Sequence, residues 1–345
     1  MSKAQIVVVI LNFNGKSFLE KFLHTTIKYS SPHEIYVADN GSTDNSIEYL
    51  KSNFPSIKII DNKFNFGYAK GNNEPLKQIS AEYFVLLNND VEVTENWLTP
   101  LLNLMQSDTK IAACQPKLLD YSNKNTFEYA GGSGGFIDKY AYPFCRGRIF
   151  NTIEEDKKQY DSACEVFWAS GACLCVNADA FWKAGGLDED FFAHMEEIDL
   201  CWRLKNLGYK IYIEPSSIIY HVGGGTLNKL SSQKTFLNFR NNLITLTKNH
   251  PPKYLFLKFI FRLNLDGIAA FKFLLSGEPK HFFAVLRAHF AYYFSLSNTL
   301  KKRKALKKIE GFKFNLSCVY KGNIVMEYFV RGKKTFSDLH RGFFD

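Results

Sequence analysis

The stretch "HMEEIDLCWR" (residues 194–203) sets Glu196, Glu197 and Asp199 close together, behind a histidine and ahead of an apolar run. At about 100° per residue, Glu196, Asp199, Arg203 and Asn206 share one polar arc of a helix over 196–207, with Asp199 and Arg203 an i,i+4 pair. Glu197 falls on the other side, among Leu200, Leu204 and Cys201. Desolvation there raises the carboxyl pKa and the helix dipole lowers it, so the group can stay ionised in a partly dry cleft. That is what a base needs to take a proton from an attacking hydroxyl, and Glu196 is then left to orient the hydroxyl. If the chain is still irregular at 196–197 the two acids exchange roles, and the bland alternative is an anion capping a helix.

Other polar groups sit where apolar runs end. "LLNNDVEV" delivers Asn89 and Asp90 after a strand, and His221 follows a β-rich run just before glycines; a carboxylate and an imidazole at such tips can ligate a hard cation, Mg2+ or Mn2+. "VADNGSTDNS" offers Asp39, Asn40 and Asp44, acids able to accept hydrogen bonds from a base or ribose, or merely to cap a helix. "NFNFGYAKGNN" offers Asn65, Gly67 and Lys70 at a helix start, where N–H groups and the dipole favour phosphate. That stretch lacks the P-loop lysine and serine spacing, which argues against nucleotide hydrolysis, and the first turn, Asn12 to Gly15 with Asn14 inside it, lacks the GxGxxG fingerprint, which argues against hydride transfer. In "WASGACL", Gly171 and Ala172 are small enough for a ligand to approach the backbone, or for strands to pack closely.

The elements that must position these groups alternate. "IVVVILNFN", "EIYVADN", "IKIIDN" and "YFVLLNND" read as strands separated by helices over 16–29, 44–52 and 68–79, which predicts an α/β fold with a mostly parallel sheet covered on both faces. Ligands of such sheets bind at the carboxyl ends of the strands. Residues 120–165 read as a long connecting segment containing at most a hairpin. A strand and short helix follow over 165–192, then the acidic helix, then a strand ending at His221, so the sheet domain closes near 225–230. The chain divides into 1–230 and a helical, basic and aromatic-rich region over 231–345.

With 345 residues the chain can bury a large core, and 32 phenylalanines need a place in it. The seven cysteines lack zinc-type spacing and read as buried free thiols in a reducing compartment. The apolar run near the N-terminus is too short for a signal peptide, which predicts a cytoplasmic location. The net charge of +9 suits nucleic acid, anionic lipid or a phosphorylated substrate, and its placement decides among them. "YLFLKFIFRLNLDGIAAFKFLL" and "HFFAVLRAHFAYYFSL" precede "KKRKALKK". Lys258, Arg262 and Asp266 repeat every four residues as one polar stripe on an otherwise greasy helix. This predicts interfacial binding to an anionic membrane rather than to nucleic acid; packing on the sheet domain or on a second copy, as a homo-oligomer, is the other reading.

As an ordered set over about residues 4–225, "VVVILNFNG", "VADNGSTDNS", "NFGYAKGNN", "LLNNDVEV", "GGLDEDFFAHMEEIDLCWRLKNLGY" and the later histidine resemble the family 2 glycosyltransferases, in particular the rhamnosyltransferase-like branch. The resemblance implies a GT-A fold, a nucleotide-diphosphate sugar donor, UDP- or dTDP-linked, and an inverting transfer to a hydroxyl of a glycan or lipid-linked saccharide at the inner face of the cell membrane. It implies that Asp39 contacts the base with Asp44 nearby, that Asn12, Asn14, Asn40, Asn65, Gly67, Lys70 and Asn89 line the donor, and that Asp90 and His221 hold the metal. It further implies Glu197 as base and Gly171, Ala172 and Glu196 toward the acceptor. Two departures stand out: Asn88 replaces an acid common in relatives, and the usual Glu-Asp pair is Glu196-Glu197, one methylene longer. Competing readings are a sugar-1-phosphate nucleotidyltransferase, whose Gly- and Lys/Arg-rich first loop is missing, and a non-catalytic nucleotide-sugar-binding scaffold.

Overall fold

The computed structural model describes residues 4–223 and 231–344, so the boundary expected at 225–230 lies outside the described residues. The chain opens as β1 (Ala4–Asn12), α1 (Lys16–Ser30), β2 (Glu34–Asp39), α2 (Ser46–Asn53), β3 (Lys58–Asp61), α3 (Gly67–Leu76) and β4 (Ala81–Asn88). These four strands are parallel neighbours in the order β4-β1-β2-β3. Successive residues of β1 feed two cores: Val7 and Val9 one face, Ile6, Val8 and Ile10 the other. That is why the strand is apolar throughout instead of alternating.

The sheet continues through β5 (Val91–Val93), α4 (Leu98–Ser107), β6 (Ile111–Asp120), β11 (Cys164–Val166), β12 (Cys173–Asn177), α5 (Ala178–Lys183), α6 (Glu196–Asn206) and β13 (Lys210–His221). β12 runs antiparallel between β4 and β6, β13 lies parallel to β6, and β5 and β11 pair antiparallel with β13. The sheet is therefore parallel-rich rather than uniformly parallel, and the run read as one strand before α5 divides into β11 and β12.

The expected connecting segment over 120–165 is in fact a second sheet. Four short strands, β7 (Gly135–Asp138), β8 (Pro143–Cys145), β9 (Arg148–Ile149) and β10 (Thr152–Ile153), are joined by β14 (Val319–Tyr320) from the far end of the chain, which adds parallel to β7. Much of the phenylalanine excess goes here: Phe136, Phe144, Tyr320, Phe336 and Phe344 meet ring to ring, with Phe136 centroids 5.1 and 5.2 Å from those of Phe336 and Phe344. Aromatic area replaces the regular alternation that longer strands would have supplied.

Three helices follow the first sheet: α7 (Ser232–Asn249), α8 (Leu255–Leu275) and α9 (Pro279–Leu306), with a short α10 (Ile324–Phe329) beyond β14. The expected polar stripe of α8 exists but turns inward. Arg262 and Asp266 are buried and pair with each other at 2.7 Å, Tyr142 donates to Asp266 at 2.9 Å, and His289 of α9 lies 3.2 Å from it. Lys258 sits 2.8 Å from His250 Nε2. The apolar side of α8 is the outer one because this buried ion pair finds its hydrogen bonds only against α7, α9 and the second sheet. Among the described residues no helix is long and apolar enough to cross a membrane. Five of the seven cysteines are buried free thiols; Cys164 and Cys318 are half-buried.

Candidate active site

The tips of β1 to β4 form one hydrogen-bonded layer. Asn12 Nδ2 donates to Asp39 Oδ1 (3.0 Å) and Ser42 Oγ (3.2 Å), the Ser42 N–H donates to Asp39 Oδ2 (2.9 Å), and Asn89 Nδ2 donates to Asn12 Oδ1 (2.8 Å). Asn14 accepts from the Thr43 N–H at 2.7 Å. Asn40 bridges the next tip, donating to Asn65 Oδ1 and the Gly67 carbonyl, both at 3.1 Å. Asp39 is fully buried, so it organises the β1 and β2 tips from beneath. Asp44 accepts from the Lys16 N–H (2.8 Å) and the Ser46 N–H (3.2 Å), which ties the starts of α1 and α2 together. Lys70 turns its ammonium over the Phe66 ring, 4.2 Å from the centroid.

Gly67 opens α3 at φ +74°, and a Cβ there would lie 2.3 Å from the Phe192 carbonyl oxygen. Only glycine lets α3 approach the 191–195 loop this closely. The contact brings the donor-side tips against the acidic helix: the Tyr68 N–H donates to the Phe192 carbonyl at 2.5 Å, and the Tyr68 hydroxyl donates to the Gly171 carbonyl at 2.6 Å. A Cβ on Gly171 would sit 3.1 Å from that hydroxyl, while Ala172 is buried and its carbonyl accepts from the Asn88 N–H at 3.0 Å.

Helix α6 begins at Glu196, with Met195 at φ +76° as its N-cap. Burial departs from the wheel: Glu196, expected on the polar arc, is buried, and Glu197, expected on the apolar face, is half-buried, because the 191–195 loop and α3 cover the start of the helix. The polar arc, however, is not solvated. Asp199 is fully buried, with Arg203 Nε (2.8 Å), Lys248 Nζ (2.8 Å) and Asn249 Nδ2 (2.7 Å) donating to it, because α7 lies across that face. Lys248 and Lys302 also pair with Asp188; burial pushes the Asp188 carboxyl up, and these two charges outweigh it and hold it well below the ordinary range.

Glu196 and Glu197 meet the opposite situation. Glu196 is buried, Glu197 is half-buried, and Oε2 of each is shielded from water with no hydrogen-bond partner among the described residues. Burial pushes Glu197 up to about 7 against the opposing backbone N–H groups of the helix start. Burial, and then the charge of Glu197, pushes Glu196 well above the ordinary carboxylate range. The two carboxyls titrate together, and of the pair Glu197 gives up its proton first.

β5 folds back from the end of β4 to pair with β13, placing His221 opposite Val91 and beside Asp90 across 131 residues of chain. His221 Nε2 lies 3.1 Å from Asp90 Oδ1, and its Nδ1 lies 3.3 Å from Glu128 Oε1, all three side chains being buried. Burial pulls the imidazolium down, but Glu128 and Asp90 outweigh this and raise it to about 10. With both carboxylates beside it the ring keeps its proton, so a divalent cation would be held by Asp90 and His221 only by displacing that proton, with Glu128 behind the ring to orient it. Among the described residues no group of three or more ligands of its own forms, so such a cation would complete its shell with donor oxygens.

Four contributors lay outside the sequence reading. Tyr68 was inside a quoted motif; Asn241 and Lys248 carry the signal of polar residues in a buried helical run; Glu128 stands in a loop without one. Asn241 Nδ2 faces the carbonyl oxygens of Phe191, Ala193 and His194 at 3.1, 3.0 and 2.8 Å.

Residues 7–196 match the model of Glycosyl transferase family 2. The chain belongs to that family. The glycosyltransferase is 24% identical over 320 residues, 88% of its own length and 97% of the relative's, to the N-acetylglucosaminyl-diphospho-decaprenol L-rhamnosyltransferase of Mycobacterium tuberculosis. Its fold is similar to the crystal structure of GalNAc-T7 with UDP, GalNAc and Mn2+ (TM-score 0.56, 18% identity, 73% of this chain and 49% of that one). It is also similar to the mannosyltransferase PcManGT from Pyrobaculum calidifontis in complex with GDP-Man and Mn2+ (TM-score 0.51, 14% identity, 89% and 86%). Both likenesses establish the GT-A-like fold of this glycosyltransferase.

Proposed function

We propose that this glycosyltransferase moves a sugar, with inversion, from a UDP- or dTDP-linked donor to a hydroxyl of a growing, lipid-linked cell-surface glycan at the inner face of the membrane. The observation that carries the reading is the pair of unpartnered Oε2 atoms on Glu196 and Glu197, on a helix whose other acid is fully paired. Two adjacent buried carboxylate oxygens left without partners are open to a polar ligand.

Glu197, in its ionised form, accepts the proton of the acceptor hydroxyl as its oxygen attacks the anomeric carbon. The bond to the diphosphate breaks and its electron pair leaves with the phosphate oxygen; one displacement from one side inverts the centre. Glu196 hydrogen-bonds the acceptor, which approaches over Gly171, Ala172 and Tyr68. The nucleotide lies along the tips carrying Asn12, Asn14, Asp39, Asn40 and Asp44, and the diphosphate along Asn65, Gly67, Lys70 and Asn89. Asp90 and His221 would hold Mg2+ or Mn2+, which supplies positive charge to the departing diphosphate. The name and near-complete span of the mycobacterial relative support the lipid-linked acceptor.

A thermal-shift panel of nucleotide diphosphates and nucleotide sugars, each with and without Mn2+, followed by donor-hydrolysis assays on the hits, tests the reading. A UDP- or dTDP-sugar is expected to raise the melting temperature, more so with Mn2+. A panel in which no nucleotide sugar shifts it would overturn the donor assignment.

A further inference from the structure

The outward side of the α8–α9 hairpin is apolar to a degree the rest of the surface is not. On α8 the exposed residues are Phe256, Leu257, Ile260, Phe261, Ile268, Phe271, Leu274 and Leu275, interrupted only by Asn264 and Lys272. On α9 they include Phe283, Leu286, Phe290, Tyr293, Phe294 and Leu300, with Leu275 and Phe294 each 88% exposed. The face continues onto α10 through Lys272, which stacks over Phe329 at 4.7 Å, and Met326, Phe329 and Val330 are exposed there. A contiguous apolar surface of this kind marks a binding face rather than scattered exposure.

Charge identifies what covers it. Asp266 is the sole acid in α8, it is buried against Arg262, and α9 contains none. The exposed ionised residues on the two helices are Lys272, Lys280, Arg287, Lys301 and Lys304. A second copy docked here would bring these five cations against their like, with Glu278 in the turn between the helices as the one exposed carboxylate of the hairpin to answer them. An anionic bilayer answers them all: the apolar side chains enter the acyl boundary and the long basic stems reach headgroup phosphates at the rim. The basic run contributes less than its length suggests, since Lys302 is spent on Asp188 and Asp190, and Arg303 donates to the Thr247 and Lys248 carbonyls.

We propose that the outer face of the α8–α9 hairpin, extended by α10, is an interfacial docking surface for an anionic lipid bilayer, lying on it without crossing it. The inference deepens, and rests on, the reading of the acceptor as lipid-linked. The inward polar stripe is part of the device: Arg262–Asp266 anchors α8 to α7, α9 and the second sheet through its polar side, leaving the greasy side free.

The test is co-sedimentation of the full chain with vesicles of phosphatidylcholine alone or with about one third phosphatidylglycerol. Wild type is expected to partition at least about tenfold better to the anionic vesicles and to lose most of that advantage in high salt. Leu275→Glu with Phe294→Glu, two positions each 88% exposed, is expected to lower partitioning at least about tenfold while vesicle-free donor hydrolysis stays at the wild-type rate. Unchanged partitioning of the double variant would overturn the proposal, as would a wild type that ignores anionic vesicles. A wild-type dimer in light scattering that the double variant dissolves would overturn it in favour of a second copy. Loss of donor hydrolysis in wild type itself would strike the functional reading and leave the surface assignment standing on the vesicle result.

Discussion

Helix α6 carries acids of the same class in two opposite situations. On the side facing α7, Asp199 is met by Arg203, Lys248 and Asn249, and Asp188 nearby by Lys248 and Lys302. On the side facing Tyr68 and Gly171, Glu196 and Glu197 keep buried oxygens without partners. Burial alone therefore does not distinguish a structural acid from a reactive one; the supply of answering donors does. The paired side fixes the helix, and the unpaired side holds carboxyls whose pKa values are raised into the range useful for proton transfer.

Exchanging Glu197 for Gln should break the comparison most sharply. It removes the base while keeping the shape, so kcat should fall about 10³-fold, within the usual range for a general base. The melting temperature should hold or rise, because a carboxyl raised to about 7 opposes folding once ionised. The sign follows from the shift: the stability Glu197 contributes is complete below its unfolded pKa near 4.5 and is lost as pH rises toward 7, while activity rises over the upper part of the same window. Wild-type kcat/KM should accordingly climb through about pH 7; a rate flat from pH 5 to 8 would remove Glu197 from the role.

The paired side should respond in the reverse order. Lys248→Met leaves Asp199 and Asp188 short of a cation in a dry site, which costs about 3–5 kcal/mol in urea unfolding. An unchanged unfolding midpoint would mean the network around α6 is not what holds it. Glu128→Gln sharpens the comparison at the second pair of acids, because it weakens the support behind the His221 ring without touching Asp90. Mn2+ affinity, read by electron paramagnetic resonance of the free ion, should fall about 10- to 100-fold, with nucleotide affinity in the absence of metal unchanged.

How much of this was legible depended on whether the signal was local. The tips of β1 to β4 were, since apolar runs ending in Asn, Asp and Gly show both the strand and its polar end. The phase separating Glu197 from Asp199 was also legible, but not that the polar arc is buried, because Lys248 and Asn249 come from α7. The same limit applies to α8: spacing shows that Lys258, Arg262 and Asp266 share a side, and only Asp138, Tyr142, Asn242 and His289 around them show that the side faces inward. The second sheet escaped because strands of two to four residues carry no usable alternation and one of them arrives from residues 319–320. Glu128 escaped because one acid in a loop has no pattern.

Asn241 gives the smallest expected effect and the finest test of how α7 serves the reactive side. The loop it clamps is strained: Phe192, His194 and Met195 all have positive φ, each at an expected cost of about 1–3 kcal/mol. Such a backbone persists only if its surroundings hold it, and the amide of Asn241 faces three carbonyls of this loop just before Glu196. Asn241→Ala should lower kcat by about tenfold or less through a small displacement of the base, leaving nucleotide affinity at wild type because the donor tips belong to other strands. Asn241→Asp keeps the size but turns an acceptor toward three acceptors, so it should fall below the alanine variant. Equal losses in the two would show that filling the space, rather than donating to the loop, is the contribution of Asn241.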